Sequence, residues 1–223
     1  MLLELRDVLT TEQVSVARHL LSAATFVDGR LSAGLAAGRV KRNEEADAAT
    51  FDPKALNNLV MGSLVRHPVY LNGALPHRVA APYYARYTPG MHYGDHVDDP
   101  VMGPGPRYRC DIAITLFLSE PDAYDGGELV VRTSFGEQRV KLAAGHAIMY
   151  PASSLHRVAE VTRGERMVAV TWVQSLVKDP ARRELLYELN LAREKLLKTA
   201  PDAEETARVD LAYVNLVRMW AEI

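Results

Sequence analysis

Two histidines and one aspartate are the residues in this chain whose types and spacing could bind a metal ion. His96 and Asp98 flank a single valine, and His156 lies far downstream, after the run HAIMYP. On an extended segment, residues i and i+2 project to the same side, so the side chains of His96 and Asp98 can reach one point. A neighbouring strand could bring His156 across from His96. Two imidazoles and one carboxylate leave three metal positions open, an arrangement that suits non-haem Fe(II) oxygen chemistry.

An arginine ten residues after His156 supplies a partner for an anion. Arg166 heads the run RMVAVTWV, after an expected hairpin turn at Arg163-Gly164. That turn predicts that Arg166 lies on the strand next to His156, where its guanidinium could bind a carboxylate through two parallel hydrogen bonds. A strand-edge charge is the alternative interpretation of Arg166 alone, and a His-x-Asp spacing also occurs by chance. The combination of the four residues is what predicts a site.

The segment that carries these residues is predicted to be an antiparallel β structure. Between Val79 and Val173, short runs rich in Tyr, Val, Ile and Thr alternate with Pro, Gly and Asp turns, which is typical of a sandwich or barrel. Two of these glycines, in Asp125-Gly126-Gly127-Glu128, favour a tight turn with positive φ, to which we assign no catalytic role.

Helices are predicted on both sides of this β region. Thr10 or Thr11 can cap an N-terminal helix that follows a short strand, and Pro53 after Asp52 begins a second helix. The intervening residues 26–47 are expected to be loop and strand. After Lys178, two amphipathic segments separated by Pro201 predict two closing helices. They either pack on the β core or form an interface.

Composition excludes several classes of protein. The chain has 223 residues, 48% of them hydrophobic, and a formal net charge of -2, so we expect a soluble globular protein with neither a nucleic-acid nor a membrane partner. The single cysteine, Cys110, excludes an intramolecular disulfide, and charges interrupt the apolar N-terminal run early. We therefore expect a cytoplasmic protein in which Cys110 is buried and inert.

The other histidines give no second site. His92 and His96 have the spacing of a zinc-protease pair, but HYGDH lacks the glutamate and has a glycine where a helix would be needed. Four more histidines stand alone in the sequence and are expected to be surface or hydrogen-bonded core residues: His19, His67, His77 and His146.

Longer motifs around these residues resemble a known family. The runs RYTPGMHYGDHVDDPVM, ITLFLSEPDAYDGGELVV, VKLAAGHAIMYPASSLHRVAEVTRGERMVAVTWVQS and YVNLVRMWAEI occur in the order found in PKHD-type hydroxylases, a prolyl 4-hydroxylase-like group of Fe(II)/2-oxoglutarate dioxygenases. The resemblance spans nearly the whole chain. It implies an α+β fold: a double-stranded β-helix (jelly-roll) core with flanking N-terminal helices and a small C-terminal helical segment. The expected division is a dioxygenase domain over 1–177 and a helical segment over 178–223.

The same resemblance implies the site and its chemistry. His96, Asp98 and His156 would hold Fe(II), Arg166 would bind the distal carboxylate of 2-oxoglutarate, and Tyr87 would hydrogen-bond that co-substrate. Tyr93 is a further candidate for the same pocket. The implied reaction uses dioxygen to hydroxylate an unidentified protein, peptide or small molecule and decarboxylates 2-oxoglutarate to succinate and CO2. L-Ascorbate as an accessory reductant, and a link to iron homeostasis, are further implications.

Two alternative functions and the oligomeric state are left open by the sequence. A cupin-type metalloenzyme would use the metal without 2-oxoglutarate, and a non-enzymatic binding module would use the barrel and the C-terminal helices for a partner. The leucines of those helices also suggest a homodimer contact. The cupin interpretation is disfavoured because cupins usually add a glutamate and further histidines near the first pair, and only Asp95, Asp98 and Asp99 are acids there. The intact set of three ligands together with Arg166 argues against a non-enzymatic module.

Overall fold

The computed structural model describes residues 1–103, 105 and 107–222, so the last residue of the expected segment 178–223 lies outside it. The helices are α1 (Thr11–Ser22), α2 (Leu35–Val40), α3 (Pro53–Leu64), α4 (Pro68–Ala74), α5 (Pro180–Thr199) and α6 (Glu204–Trp220), with a 3-10 turn at Gly29–Ser32. The strands are β1 (Leu3–Leu5), β2 (Phe26–Asp28), β3 (Lys41–Arg42), β4 (Glu44–Ala46), β5 (Pro76–Val79), β6 (Tyr83–Tyr87), β7 (His92–His96), β8 (Val101–Met102), β9 (Tyr108–Arg109), β10 (Ile112–Phe117), β11 (Tyr124–Gly126), β12 (Leu129–Thr133), β13 (Gly136–Val140), β14 (Ala147–Pro151), β15 (His156–Val158), β16 (Val161–Gly164) and β17 (Arg166–Ser175).

Two antiparallel sheets form the jelly-roll core. The major sheet has the strand order β1-β14-β10-β17-β6-β4-β2, with β5 also paired to β17, and the minor sheet has the order β13-β12-β15-β7-β3. Two short pairs, β11 with β16 and β8 with β9, complete the β structure of the described residues. The predicted fold, an antiparallel core between N-terminal helices and a C-terminal helical segment, is confirmed.

Strand β10 shows why the major sheet is covered on both faces. All six of its residues, IAITLF, are buried, and successive side chains point to opposite faces. Ile112 and Ile114 pack with the core that includes residues of α1, α3 and α4, whereas Ala113 and Phe117 belong to the core between the two sheets. The helices therefore cover the outer face of the major sheet, and its inner face is left for the site.

The predicted helix starts are confirmed. The side chain of Thr10 accepts a hydrogen bond from the backbone N–H of Gln13, and the side chain of Gln13 accepts one from the backbone N–H of Thr10. This capping box begins α1. Asp52 caps α3 through the backbone N–H of Ala55, with Pro53 in the first turn. The two predicted closing helices are α5 and α6. No helix in the described residues is long and apolar enough to cross a membrane.

Two expectations were wrong. Residues 26–47 contain the helix α2, capped by Gly34, as well as strands, because these residues wrap the edge of both sheets. Arg166 does not lie on the strand next to His156: β15 pairs with β12 and β7 of the minor sheet, and β17 lies in the major sheet. The physical reason is that residues 161–164 pair with β11 instead of folding back on β17, so the chain crosses from one sheet to the other.

Candidate metal centre

His96 and His156 lie opposite each other on neighbouring strands of the minor sheet. They are register partners in the β7–β15 pair, and their ring centroids are 4.2 Å apart. Asp98 lies two residues beyond the end of β7, and its Oδ1 atom is 3.8 Å from the Nε2 atom of each histidine. Ligand atoms of the three side chains all lie within 4.8 Å of one another. The structure therefore brings together the three residues that the sequence pattern selected.

Backbone carbonyls orient both imidazole rings. The Nδ1 atom of His96 is 2.8 Å from the carbonyl oxygen of Gly94, and the Nδ1 atom of His156 is 3.0 Å from that of Ser154. Because a carbonyl oxygen only accepts hydrogen bonds, each Nδ1 must carry the proton. Each Nε2 atom is then unprotonated, and its lone pair is free to bind a metal ion between the two histidines and Asp98.

Burial keeps one of these rings neutral. Desolvation, followed by the repulsion from His156, lowers the pKa of His96 to about 4. A neutral imidazole at physiological pH is the form that binds a metal. Tyr93 stacks on this ring with centroids 3.6 Å apart and planes 12° apart, and Tyr150 packs edge-on against His156 at 5.2 Å. The two aromatic contacts further restrict how the imidazoles can turn.

The carboxylate of Asp98 has one contact that the sequence pattern did not reveal. The indole Nε1–H of Trp172 donates a 2.9 Å hydrogen bond to Oδ2 of Asp98. Burial raises the pKa of this carboxyl group, because desolvation outweighs the opposing effects of His156, the Trp172 hydrogen bond and Lys41, so the carboxylate lacks a fully compensating cation. A divalent ion bound between Asp98 and the two histidines would supply that cation.

The three residues line a pocket of ≈ 850 Å³, a volume that includes its open mouth. Arg166, Val170 and Trp172 of β17 also line it, because alternate residues of a strand share one face. Tyr87 of β6 is the register partner of Arg166 and lines the pocket too. All the predicted site residues therefore reach one cavity, although Arg166 does so from the sheet opposite the one that was expected.

Arg166 is a buried cation that forms no ion pair with another of the described residues. The residue is 1% exposed, and its Nε atom has no hydrogen-bond partner among the described residues. The rings of Tyr87 and Phe117 lie 5.0 Å and 5.5 Å from its guanidinium carbon, and contacts of this kind only partly compensate a buried charge. An anionic group of a bound ligand would complete the compensation. The arrangement fits a ligand carboxylate that binds in the pocket beside the three candidate metal ligands.

A second polar group on the pocket wall was not predicted. The Nζ atom of Lys41 lies 2.5 Å from Oε1 of Glu45 and 3.0 Å from Oγ of Ser32, and all three residues line the pocket. They come from the segment 26–47, whose sequence shows no apolar periodicity that would have marked one face as buried. For Trp172 a signal did exist: it lies an even number of residues from Arg166 on one expected strand.

The residues set aside in the sequence stay outside the site. His92 lies on β7, and the structure shows no helix there. Cys110 is buried, and desolvation raises the pKa of its thiol to about 12. Gly126 and Gly127 have φ values of +70° and +68°, as the turn prediction requires.

Two family models match the chain. The 2OG-Fe(II) oxygenase superfamily model matches residues 82–174, and the PKHD-type hydroxylase C-terminal domain model matches residues 180–222. The first match contains every predicted site residue. The second covers helices α5 and α6 in full.

Relatives extend the similarity over the whole chain. A PKHD-type hydroxylase of Thioalkalivibrio sulfidiphilus is 54% identical over 224 residues, and one of Paracoccus denitrificans is 42% identical over 226 residues, each covering 100% of both chains. Among solved structures, a prolyl hydroxylase of Trichoplax adhaerens in complex with a hypoxia inducible factor peptide fragment superimposes with a TM-score of 0.57 at 16% identity, covering 82% of this chain and 86% of that one. At this identity the superposition supports the fold alone.

Proposed function

The chain belongs to the PKHD-type hydroxylases of the 2OG-Fe(II) oxygenase superfamily, and we propose that it hydroxylates a C–H bond with concomitant decarboxylation of 2-oxoglutarate to succinate and CO2. One atom of dioxygen enters the new hydroxyl group and the other enters succinate. The observation that carries this proposal is the buried Arg166, whose Nε atom has no hydrogen-bond partner among the described residues, in the same pocket as the cluster of His96, Asp98 and His156.

We assign Fe(II) to His96, Asp98 and His156. The donor set of two imidazoles and one carboxylate suits this metal, and three ligand atoms leave three positions for other groups. Both Nε2 lone pairs and Oδ1 of Asp98 converge within 4.8 Å, which supports the assignment. When bound, the metal supplies the activation of dioxygen, and the protein supplies the geometry.

We assign the binding of 2-oxoglutarate to Arg166 and Tyr87. The distal carboxylate of the co-substrate is the anion that would compensate the guanidinium of Arg166, and charge-assisted pairs of this kind are strong in a pocket with little water. The side chain of Tyr87 lines the same pocket with its ring beside that guanidinium, and we assign its hydroxyl as a second donor. Apolar residues such as Leu129, Val158 and Val170 complete the lining and limit access of water.

For the substrate we favour a protein or peptide over a small molecule. The support is the likeness to prolyl hydroxylases, one of which was solved with a peptide fragment. The lining of the pocket includes Tyr83 and Trp172, an edge-on aromatic pair that a peptide could contact. A role in iron homeostasis and the use of L-ascorbate stay predictions.

Several further expectations also stay predictions. They are the division of the chain into 1–177 and 178–223, the cytoplasmic location, and the absence of nucleic-acid and membrane partners. We also propose a homodimer through α5 and α6. Leu185 is 62% exposed, Leu211 is 65% exposed and Met219 is 73% exposed, and burial of such apolar surface would favour association.

The first test is an anaerobic titration of the Fe(II)-loaded protein with 2-oxoglutarate. We expect a weak visible charge-transfer band, which chelation of the metal by the 1-carboxylate and 2-oxo groups of the co-substrate would give. The band should be absent in His156→Ala and present in His146→Ala, a matched variant outside the pocket. Metal binding without the band would exclude the co-substrate and favour a cupin-type enzyme, and absence of metal binding would favour a binding module.

A further inference from the structure

We propose that Trp172 is a positioning residue that holds Asp98 as a one-oxygen metal ligand. The proposal rests on the proposed function, since it requires a metal ion at His96, Asp98 and His156. The two carboxylate oxygens have different surroundings. Oδ2 accepts the 2.9 Å hydrogen bond from the Trp172 indole, and Oδ1 lies 3.8 Å from the Nε2 atom of each histidine.

The indole contact decides how many metal positions the carboxylate can occupy. A carboxylate binds a metal through one or both oxygens, and the indole N–H is a donor only, so its hydrogen bond occupies a lone pair of Oδ2 that would otherwise be free to bind the metal. With one oxygen of Asp98 and two imidazoles, a six-coordinate ion keeps three positions open. With both oxygens it keeps two. A co-substrate that chelates through two atoms, together with dioxygen, needs three.

The strand that carries Trp172 fixes the direction of this hydrogen bond. Trp172 pairs with Ala113 of the central strand β10, and the ring of Tyr83 packs edge-on against the indole at 5.8 Å. Both contacts hold the indole plane, so the N–H points at one place. Groups that hydrogen-bond a metal ligand in this way commonly change metal affinity by 10–100-fold.

The same strand also carries the proposed co-substrate anchor. Arg166 and Trp172 are six residues apart on one face of β17, which corresponds to about 20 Å of extended backbone. Strand β17 thus carries both Arg166, toward one end of the pocket, and Trp172, the hydrogen-bond partner of Asp98, toward the other end. A rigid strand keeps both side chains at fixed positions relative to the three metal ligands.

The test compares two tryptophan replacements. Trp172→Phe keeps an aromatic ring beside Tyr83 and removes the donor, and Trp220→Phe changes the only other tryptophan, which lies on α6 against Arg182. We expect the Mn(II) dissociation constant, measured by electron paramagnetic resonance, to rise 10–100-fold in Trp172→Phe and to stay unchanged in Trp220→Phe. The visible spectrum of the Co(II)-loaded protein should also change in Trp172→Phe, because the second carboxylate oxygen would take one of the positions that other groups occupy in the wild-type protein.

A second measurement avoids dependence on the folding of Trp172→Phe. In a Trp220→Phe background, Trp172 gives the only indole N–H resonance. In the metal-free protein, where the hydrogen bond to Asp98 is already formed, we expect that proton to be downfield and slow to exchange, and to lose both properties in Asp98→Ala. An indole resonance that does not respond to Asp98→Ala would overturn the proposal.

The outcomes separate this inference from the proposed function. If the wild-type protein binds no Mn(II), the metal assignment itself fails. If the wild-type protein binds Mn(II) and Trp172→Phe binds it equally well with the same Co(II) spectrum, the metal assignment stands and the positioning role of Trp172 is wrong.

Discussion

His96 and His156 face each other across the β7–β15 pair, with ring centroids 4.2 Å apart. Opposed residues of an antiparallel pair project to the same face of the sheet, so one register places both imidazoles in the pocket. Asp98 follows β7 after one intervening residue and closes the cluster. The metal centre therefore depends on the pairing of two strands whose ligands are far apart in sequence, and changes to any of the three ligands should act on metal binding directly.

Replacement of Asp98 by alanine should abolish metal binding and 2-oxoglutarate decarboxylation together, because it removes the only carboxylate of the cluster. The measurement is the metal content after Fe(II) loading, with succinate formation assayed in parallel. Asp95→Ala is the control, since this aspartate of β7 is exposed and pairs with Arg157 on the surface. Normal metal content in Asp98→Ala would show that Asp98 is not a ligand.

Replacement of Arg166 by alanine should leave the metal bound and weaken the binding of 2-oxoglutarate. Loss of a charge-assisted pair costs about 2 kcal/mol, which is a rise of roughly 30-fold in the dissociation constant. The titration of the charge-transfer band measures it. Arg163→Ala is the matched control, because Arg163 is exposed and pairs with Asp125. An unchanged affinity in Arg166→Ala would move the anchoring role to another residue.

Gly127→Ala should destabilise the fold and disturb the Arg166 side chain. Gly127 has a φ of +68°, and a Cβ atom there would lie 2.9 Å from Cγ2 of Val161 and 3.0 Å from Cδ of Arg166. The left-handed backbone alone costs a side chain about 1 kcal/mol of unfolding free energy, and the close contacts add to this. Denaturant unfolding measures the change. Gly62→Ala, inside α3 with only an arginine tip nearby, should be neutral or stabilising, and equal behaviour of the two variants would contradict the argument.

The thiol of Cys110 should resist alkylation in the folded protein at pH 8. Burial raises its pKa to about 12, so the reactive thiolate is scarce until the pH approaches that value. The unfolded thiol ionises at a lower pH, so this group stabilises the fold below about pH 8.5 and loses that contribution as the pH rises toward 12. Mass spectrometry after iodoacetamide treatment should find one modified residue only in denaturant. Rapid modification of the native protein would be inconsistent with this.

The C-terminal helices should form a dimer contact that a charge can break. Leu211 of α6 is 65% exposed, so Leu211→Glu leaves the monomer fold intact while it places a carboxylate in the proposed interface. Sedimentation velocity at micromolar concentration should show a dimer for the wild-type protein and a monomer for the variant. A wild-type monomer under these conditions would refute the dimer.

Much of the site was predictable from the sequence because it depends on local patterns. The i, i+2 spacing of His96 and Asp98 requires only an extended segment, and Arg166 stands at the head of an apolar strand. The starts of α1 and α3 were predictable for the same reason: Thr10 and Asp52 satisfy backbone N–H groups a few residues away. None of these features depends on which distant segment lies alongside.

Only the tertiary structure decided which strands pair and which side chains face each other across the pocket. Residues 161–164 pair with β11, so Arg166 enters the pocket from the major sheet, opposite His156, and no local pattern distinguishes that pairing from a hairpin. The hydrogen bond from Trp172 to Asp98 joins residues 74 positions apart, and it exists because the two sheets face each other. The sequence by itself determined which side chains could form a metal and anion site, since their types and spacing are local properties. Only the packing of the two sheets determined their distances, partners and burial, because long-range strand pairing depends on the core as a whole.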